Sequence, residues 1–352
     1  MNKQFFYPHK KDAVKILIIF AVAFATLIMS CSIKNMNKFP ERKFLPVTAV
    51  IADSLFTSFP GTLRVNAKHL VLHCPRDRNE NFLMVYDRAS GQQIIRIGAI
   101  GQGPGEWSTP LLGNAIDNKL VVFDPNRKQY VVAEASDLYQ AVSNSDLIKT
   151  INKELVAFVY IDDKRYIISN FEEKSPFEMI TEKGIISCGK YPFNENINNS
   201  YDCFQGNMLM HPLKKIIIYA TISNPYLAMY RIGNNQLDLL WENQFKKPDY
   251  SVVNQKLHWG SDHFGGISDV ALTKDYIVCL IKDFKSEAQG RDPKAAPKAV
   301  YLFDYEGHLK HIFDLPNHTV RLAADAESNT FYAVSVEPDY AIVAYDLTSV
   351  GL

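Results

Sequence analysis

The sequence predicts an all-β fold, a six-bladed β-propeller of four-stranded blades, its ring closed by a strand from the N-terminal side. Three observations carry that prediction. From Val47 onward, short runs rich in Val, Ile, Tyr and Phe recur between clusters of Gly, Pro, Asn and Asp, with almost no amphipathic helical spacing. One hairpin pattern returns along the chain. The last repeat is one strand short at the C-terminal end, while an unpaired strand-forming run stands at the other.

The repeating hairpin is clearest where Phe82-Leu83-Met84-Val85-Tyr86-Asp87 turns at Ser90-Gly91 into Gln93-Ile94-Ile95-Arg96-Ile97. It returns at 226–241 through Gly233-Asn234-Asn235, and at 300–313 through Glu306-Gly307. Fainter copies occupy 129–151, with an insertion, and 177–191, with a turn at Lys183-Gly184. A second hairpin precedes each of these, at 63–74, 113–124, 156–170, 203–222 and 267–281, and a sixth covers 320–336. Six inner hairpins imply six blades. The sixth is followed only by 340–346, so its outer strand is expected from 47–56. Closure matters because an open stack of blades exposes unpaired strand edges, whereas a ring leaves only short protected ones. Tyr86 to Tyr345 covers five blade steps of about 52 residues, near the period of known propeller repeats. A large β-sandwich or a pair of β-domains is the competing architecture, and neither explains the missing strand.

The N-terminus has a different character. Lys3, Lys10, Lys11 and Lys15 precede an apolar stretch over 16–29, the outline of a signal peptide. Fourteen residues rise about 21 Å as a helix, short of the roughly 30 Å hydrocarbon core of a bilayer. The stretch ends in Leu27-Ile28-Met29-Ser30-Cys31, which resembles the bacterial lipobox, with a small residue before the cleavage point and a cysteine that accepts lipid. The expected organisation is a signal peptide over 1–30, lipidated Cys31 and a tether over 31–46, and the propeller over 47–352. Several acyl chains make such an anchor stable where one is marginal. Ser32, and the absence of acidic residues just after Cys31, resemble outer-membrane lipoproteins that face the periplasm.

The chain of 352 residues balances 38 basic against 38 acidic side chains, and removing residues 1–30 leaves a net charge of about −3. Nothing in this balance points to nucleic acid. Cys74, Cys188, Cys203 and Cys279 show no disulfide spacing, and Cys279 sits in an apolar run, so they read as core thiols.

The segment Gly101-Gln102-Gly103-Pro104-Gly105-Glu106-Trp107, followed by Lys119-Leu120-Val121-Val122-Phe123-Asp124, resembles an NHL-type repeat, in which a Gly-Pro-Gly loop and an aromatic lead into the next blade. Residues 300–346 resemble the last two blades of TolB-like six-bladed propeller lipoproteins of the Bacteroidetes. That resemblance implies a propeller over the whole mature chain, although 136–148 and 194–202 match no repeat. The glycines read as a tight interblade crossing and Trp107 as packing between blades, since no helix follows to cradle a phosphate.

In four-stranded blades, loops from second to third strand and from one blade to the next share a face. Here that face collects the long connections at 75–81, 171–176, 193–202, 245–265 and 283–298, while the other has tight turns. Long loops on a rigid scaffold are the usual place for binding. The candidate ligand residues are therefore Arg76, Arg78, Tyr250, His258, Trp259, His263 and Arg291, for a protein, peptide or glycan partner. The pair His258 and His263, five apart in a loop with Asp262, has no identifiable further ligand, so no metal or cofactor is assigned. No Gly-x-Ser-x-Gly elbow, His-Glu-x-x-His helix or Cys-x-x-Cys pair is present. The expected function is non-catalytic binding or scaffolding. The alternative is a metal-dependent hydrolase or lyase with a calcium or zinc site in the central channel, to which Asn114, Asp202 and Asp269 could contribute.

Overall fold

A computed structural model describes residues 39–55, 57, 59–75, 81–103, 105–114, 119–171, 175–193, 195–283 and 296–352. The signal segment, Cys31, Arg76, Arg78 and Arg291 lie outside the described residues. Residues 41–352 form one compact unit. It opens with two short strands, β1 (Arg42–Phe44) and β2 (Ala49–Ala52). Blade one follows as β3 (Leu63–Val65), β4 (His69–His73), β5 (Leu83–Asp87) and β6 (Gln93–Ile97). Blade two contains β7 (Leu111–Leu112), β8 (Lys119–Asp124), β9 (Gln129–Glu134) and β10 (Lys149–Thr150), with a helix α1 (Leu138–Ser143) before its outer strand.

Blade three is β11 (Ala157–Asp162), β12 (Arg165–Ser169), β13 (Phe177–Thr181) and β14 (Gly184–Cys188). A short helix α2 (Ser200–Phe204) leads into blade four, β15 (Gly206–His211), β16 (Ile216–Thr221), β17 (Tyr226–Ile232) and β18 (Leu237–Gln244). A separate hairpin, β19 (Tyr250–Val253) and β20 (Lys256–Trp259), stands before blade five. Blade five is β21 (Ile267–Leu272), β22 (Ile277–Ile281), β23 (Ala299–Phe303) and β24 (Leu309–Asp314). Blade six is β25 (Thr319–Ala324), β26 (Thr330–Ser335) and β27 (Ala341–Asp346).

The hairpin arithmetic is met: each blade is an antiparallel meander, and the outer strand of blade six is β2. Its register sets Ala49 opposite Ala344 and Val50 opposite Val343, with a bulge before Ala52. Strand structure starts earlier than Val47, however. β1 runs parallel to β24, with Arg42 opposite Ile312, and adds a fifth strand to blade five. Leu45, between the two strands, is fully buried and packs with the core between blades five and six. The N-terminal segment therefore bridges the outer edges of two blades.

Why the strands read as continuous apolar runs is visible in the packing. All six residues of β16 are buried. Ile217 and Tyr219 pack toward blade three, whereas Ile216, Ile218 and Ala220 pack toward blade five. Alternate residues of one strand thus serve two interfaces, and six apolar clusters result, one per pair of neighbouring blades. Trp107 belongs to the cluster between blades one and two, as its sequence context implied. It is fully buried, donates Nε1–H to Val142 O at 3.0 Å, and lies 6.0 Å from the Phe82 ring centroid.

The unmatched insertion explains itself here, because Leu138, Ala141 and Val142 of α1 complete the same cluster. The loop that carries Trp107 is pinned by Asp124. Its carboxylate accepts N–H bonds from Ser108 at 2.6 Å and Thr109 at 3.0 Å, and from Asn126 and Arg127, both at 3.0 Å.

Two boundaries differ from the sequence reading. Cys203 was expected in the inner strand of blade four but lies in α2, and the strand begins at Gly206. Gly113 was expected to open the inner hairpin of blade two but follows a strand of only two residues. Cys74, Cys188, Cys203 and Cys279 are all buried, and burial pushes the Cys203 thiol up to about 11 and Cys188 to about 12. None of the described helices is long and apolar enough to cross a membrane.

The closing segment allows a direct contrast. Deleting 41–55 removes buried Leu45 and Leu55, roughly 3–6 kcal/mol of apolar burial, and also bares the edge of β27. The melting temperature should fall by at least about 10 °C, or the cooperative transition should vanish. Arg42→Ala removes half-exposed ion pairs to Asp283 and Asp314 and should cost no more than about 1 kcal/mol. Calorimetry of both variants checks this, and a deletion as mild as the point substitution would exclude closure by β2.

Candidate functional site

The inner strands meet around the propeller axis, where side-chain to backbone bonds link all six blades in a ring. Arg64 of β3 donates Nε–H to Gly113 O of blade two at 2.8 Å. Asn114 then reaches two blades at once. Its amide nitrogen donates to Phe158 O at 3.3 Å and Met208 O at 3.2 Å, and its oxygen accepts Met210 N–H at 3.0 Å. Asn207 donates to Ser268 O of blade five at 3.2 Å. Asp269 of β21 accepts Leu322 N–H of blade six at 2.8 Å and Val270 N–H at 2.9 Å. Arg321 of β25 returns to blade one, donating Nε–H to Gly61 O at 2.8 Å.

Asn114 and Asp269, weighed in sequence as parts of a metal centre, thus spend their polar atoms on backbone groups, Asn114 on blades three and four and Asp269 on blade six and on its own strand. Asp202, the third, is exposed in α2. Among the described residues, no three His, Cys, Asp or Glu side chains are grouped to hold a metal ion.

Charge along this axis is unevenly matched. Asp269 lies in the field of both Arg64 and Arg321. Burial nonetheless raises its pKa, outweighing the two guanidinium groups and the two N–H bonds that lower it. Burial also lowers the Arg64 guanidinium to about 10, with Arg321 acting in the same direction and Asp269 against it. Sequence reasoning did not single out either arginine. The signal was there, since Leu63-Arg64-Val65 and Val320-Arg321-Leu322 each place a cation inside an otherwise apolar inner strand.

Next to Arg64 the axis opens into a cavity of about 410 Å³. Its walls come from the turns after β3, β15 and β25 and from the ends of the inner strands, so it lies on the face of tight turns. Length of loop pointed to the opposite face. The cavity forms where the inner strands converge and the described turns that follow them are short. One wall is fixed by Arg88, which donates to Tyr332 Oη at 2.7 Å and forms an ion pair with Asp325 at 2.6 Å. Leu209, Met210, Leu213 and Leu272 supply apolar surface.

On the long-loop face, the residues singled out from sequence mostly hold the β19–β20 hairpin in place. Trp259 stacks on His263 with ring centroids 4.0 Å apart. His263 is buried and its Nε2 meets Ser223 O. Tyr250 stacks on Phe193 at 4.6 Å and donates to Glu195 at 2.5 Å. His258 is exposed on the neighbouring strand, apart from the His263 stack. The structure brings Tyr250, Trp259 and His263 together as packing and leaves His258 outside.

A ring of antiparallel blades, stapled at the axis and hollow at one mouth, defines a six-bladed β-propeller. Residues 38–327 match the family described as TolB-like 6-blade propeller-like, and the chain belongs to that family. Among solved structures, it is similar to a DUF4221-family protein from Bacteroides vulgatus, with 10% identity, TM-score 0.55 and coverage of 88% of this chain and 96% of that one. It is also similar to a protein designated as exported from Bacteroides fragilis, with 14% identity, TM-score 0.52 and coverage of 87% and 94%. A third, the calcium-binding protein regucalcin from Agrobacterium tumefaciens, shows 9% identity, TM-score 0.50 and coverage of 87% and 95%. No curated protein is similar at a significant level. At such identities the likeness establishes the fold, and function must be argued from the site.

Two buried histidines give the domain a pH signature. His73 and His211 are 2% and 1% exposed, and burial lowers each from 6.5 to about 4. The unfolded chain therefore takes up protons first as pH falls. Their contribution is complete above pH 6.5 and is lost on acidification toward pH 4, on the order of 2–3 kcal/mol each at the limit. Melting temperatures should drop across that window, and the drop should be shallower in His73→Asn/His211→Gln. An equally steep drop in that variant would assign the acid sensitivity to other groups.

Proposed function

We propose that this chain is an exported lipoprotein, anchored by lipid on Cys31 at the outer membrane and facing the periplasm. In this reading its propeller holds a peptide, glycan or protein partner without transforming it. The observation that carries the binding role is the preformed axial cavity of about 410 Å³, whose walls come from several blades and are fixed by the interblade staples. A volume in the range of small-ligand sites, with apolar walls and a few fixed polar groups, suits recognition by shape and one or two directed bonds. Membership of the TolB-like family supports a propeller used for binding. The lysine-flanked apolar stretch and the sequence Leu27-Ile28-Met29-Ser30-Cys31 support export and lipidation.

Two experiments test the reading. A photo-crosslinking amino acid placed at exposed Ala67, on the cavity rim, or at Val252, on the β19–β20 hairpin, reports which face meets a partner in intact cells. Adducts are expected from position 67, and adducts from 252 alone would move the binding site to the long-loop face. Separately, Cys31→Ala should shift a folded propeller from the membrane pellet to the soluble fraction. Retention in the pellet would exclude lipid on Cys31 as the anchor.

A further inference from the structure

The two guanidinium groups that line the axial cavity are not equivalent. Arg88 is engaged on all sides, with Nε–H to Tyr332 Oη at 2.7 Å, Nη1–H to Asn66 O at 3.3 Å and Nη2–H to Asp325 at 2.6 Å. Arg64 commits Nε–H to Gly113 O at 2.8 Å and Nη1–H to Leu63 O at 3.0 Å, and Nη2 meets no acceptor among the described residues. A guanidinium cannot shed its charge at physiological pH, and its donors need partners when water is displaced.

The surrounding charge does not supply that partner. Among the described residues, Arg64 and Arg321 share the carboxylate of Asp269, whose oxygens already accept the N–H groups of Val270 and Leu322. Arg321 in turn holds Gly61 O and Val320 O at 2.8 Å. Among the described residues, Arg64 and Arg321 outnumber Asp269 beside a cavity walled by Leu209, Met210, Leu213, Leu272 and small alanines. Asp325 is neutralised by Arg88, and Glu327 is exposed at the rim, where solvent and salt screen it.

This combination selects among ligand chemistries. A sugar ring would want an aromatic platform, and none of the described side chains lining the cavity is aromatic. A phosphate dianion would want several converging donors, whereas Arg64 has one amino group without an acceptor among the described residues. A carboxylate carries one charge and accepts directed guanidinium bonds, and an aliphatic body is what the remaining walls would cover.

We propose that the axial cavity takes the carboxylate of a small aliphatic ligand, its acid group on Arg64 and its carbon chain against Leu209, Met210, Leu213 and Leu272. This rests on the cavity being the binding site. The carboxylate can belong to a free monocarboxylic acid or to the C-terminus of a short peptide ending in apolar residues.

Titration calorimetry on the full chain in detergent decides, with octanoate and acetyl-Ala-Ala-Leu acid each set against its neutral amide. At least one acid should bind, tenfold or more tightly than its amide, and the acid that binds identifies the source. Arg64→Gln should weaken that acid at least tenfold. Ala67→Trp, a substitution at an exposed rim position, should abolish binding while leaving the melting temperature unchanged. If Arg64→Gln does not fold, Arg64→Lys keeps the cation but loses the forked donor geometry and should still weaken binding.

Amides that bind as well as acids, an acid unaffected by the Arg64 variant, or no binding by either acid would overturn the assignment. Crosslinks from position 67 that persist when both acids fail would leave the cavity as the site and remove only the carboxylate. Absence of those crosslinks as well would remove the cavity reading itself.

Discussion

The middle strands of this molecule are apolar on both faces, and every other feature follows from the need to cover them. A blade taken alone would leave strands such as β16 and β22 with both faces in water. Each face is a row of Ile, Leu, Val and aromatic side chains, each worth roughly 1.5–3 kcal/mol when fully buried. Only a neighbour on each side satisfies such a blade, and only a ring gives every blade two neighbours. The pairing of β2 with β27 is therefore a condition of the fold rather than an ornament at its end. Blade six would otherwise expose an edge of β27, and the cluster between blades six and one would lose Leu55 and Ile51.

Closing a ring of apolar wedges creates a second problem at the axis, where inner strands meet and their backbone groups cannot all find strand partners. Arg64, Asn114, Asn207, Asp269 and Arg321 answer it by bonding backbone atoms of other blades. Buried polar groups that are satisfied in this way fix one arrangement, since slippage of any blade would strand a donor or acceptor. The same staples leave the tight-turn mouth hollow and hold its walls in position. The cavity comes from the geometry of closure, and the long loops of the opposite face are engaged in packing where they are described, as with Trp259 on His263.

The N-terminal segment joins these themes. β1 lies along the outer edge of blade five, Leu45 fills the core between blades five and six, and β2 completes blade six. With the proposed lipid on Cys31, the tether would enter the domain through the elements that close it. Arg42, paired with both Asp283 and Asp314, fastens the first of those strands at its entry.

The sequence by itself determined the all-β class, the count of six blades, the donor of the closing strand and the burial of Trp107, because these follow from local periodicity, turn residues and strand arithmetic. It also marked Asn114 and Asp269 as polar residues on inner strands, without showing that each would serve a neighbouring blade. Register ends were less legible. Cys203 fell in a helix, and the insertion that supplies Leu138 and Val142 matched no repeat, since short helices that patch a core carry no period of their own. Only the tertiary structure decided where a cavity opens. Arg64, Arg88 and Asp325 are far apart in sequence and converge because six strands meet at one axis, and no spacing along the chain encodes that meeting. Loop length is a local property that pointed to one face, whereas a cavity is a property of closure and opened on the other.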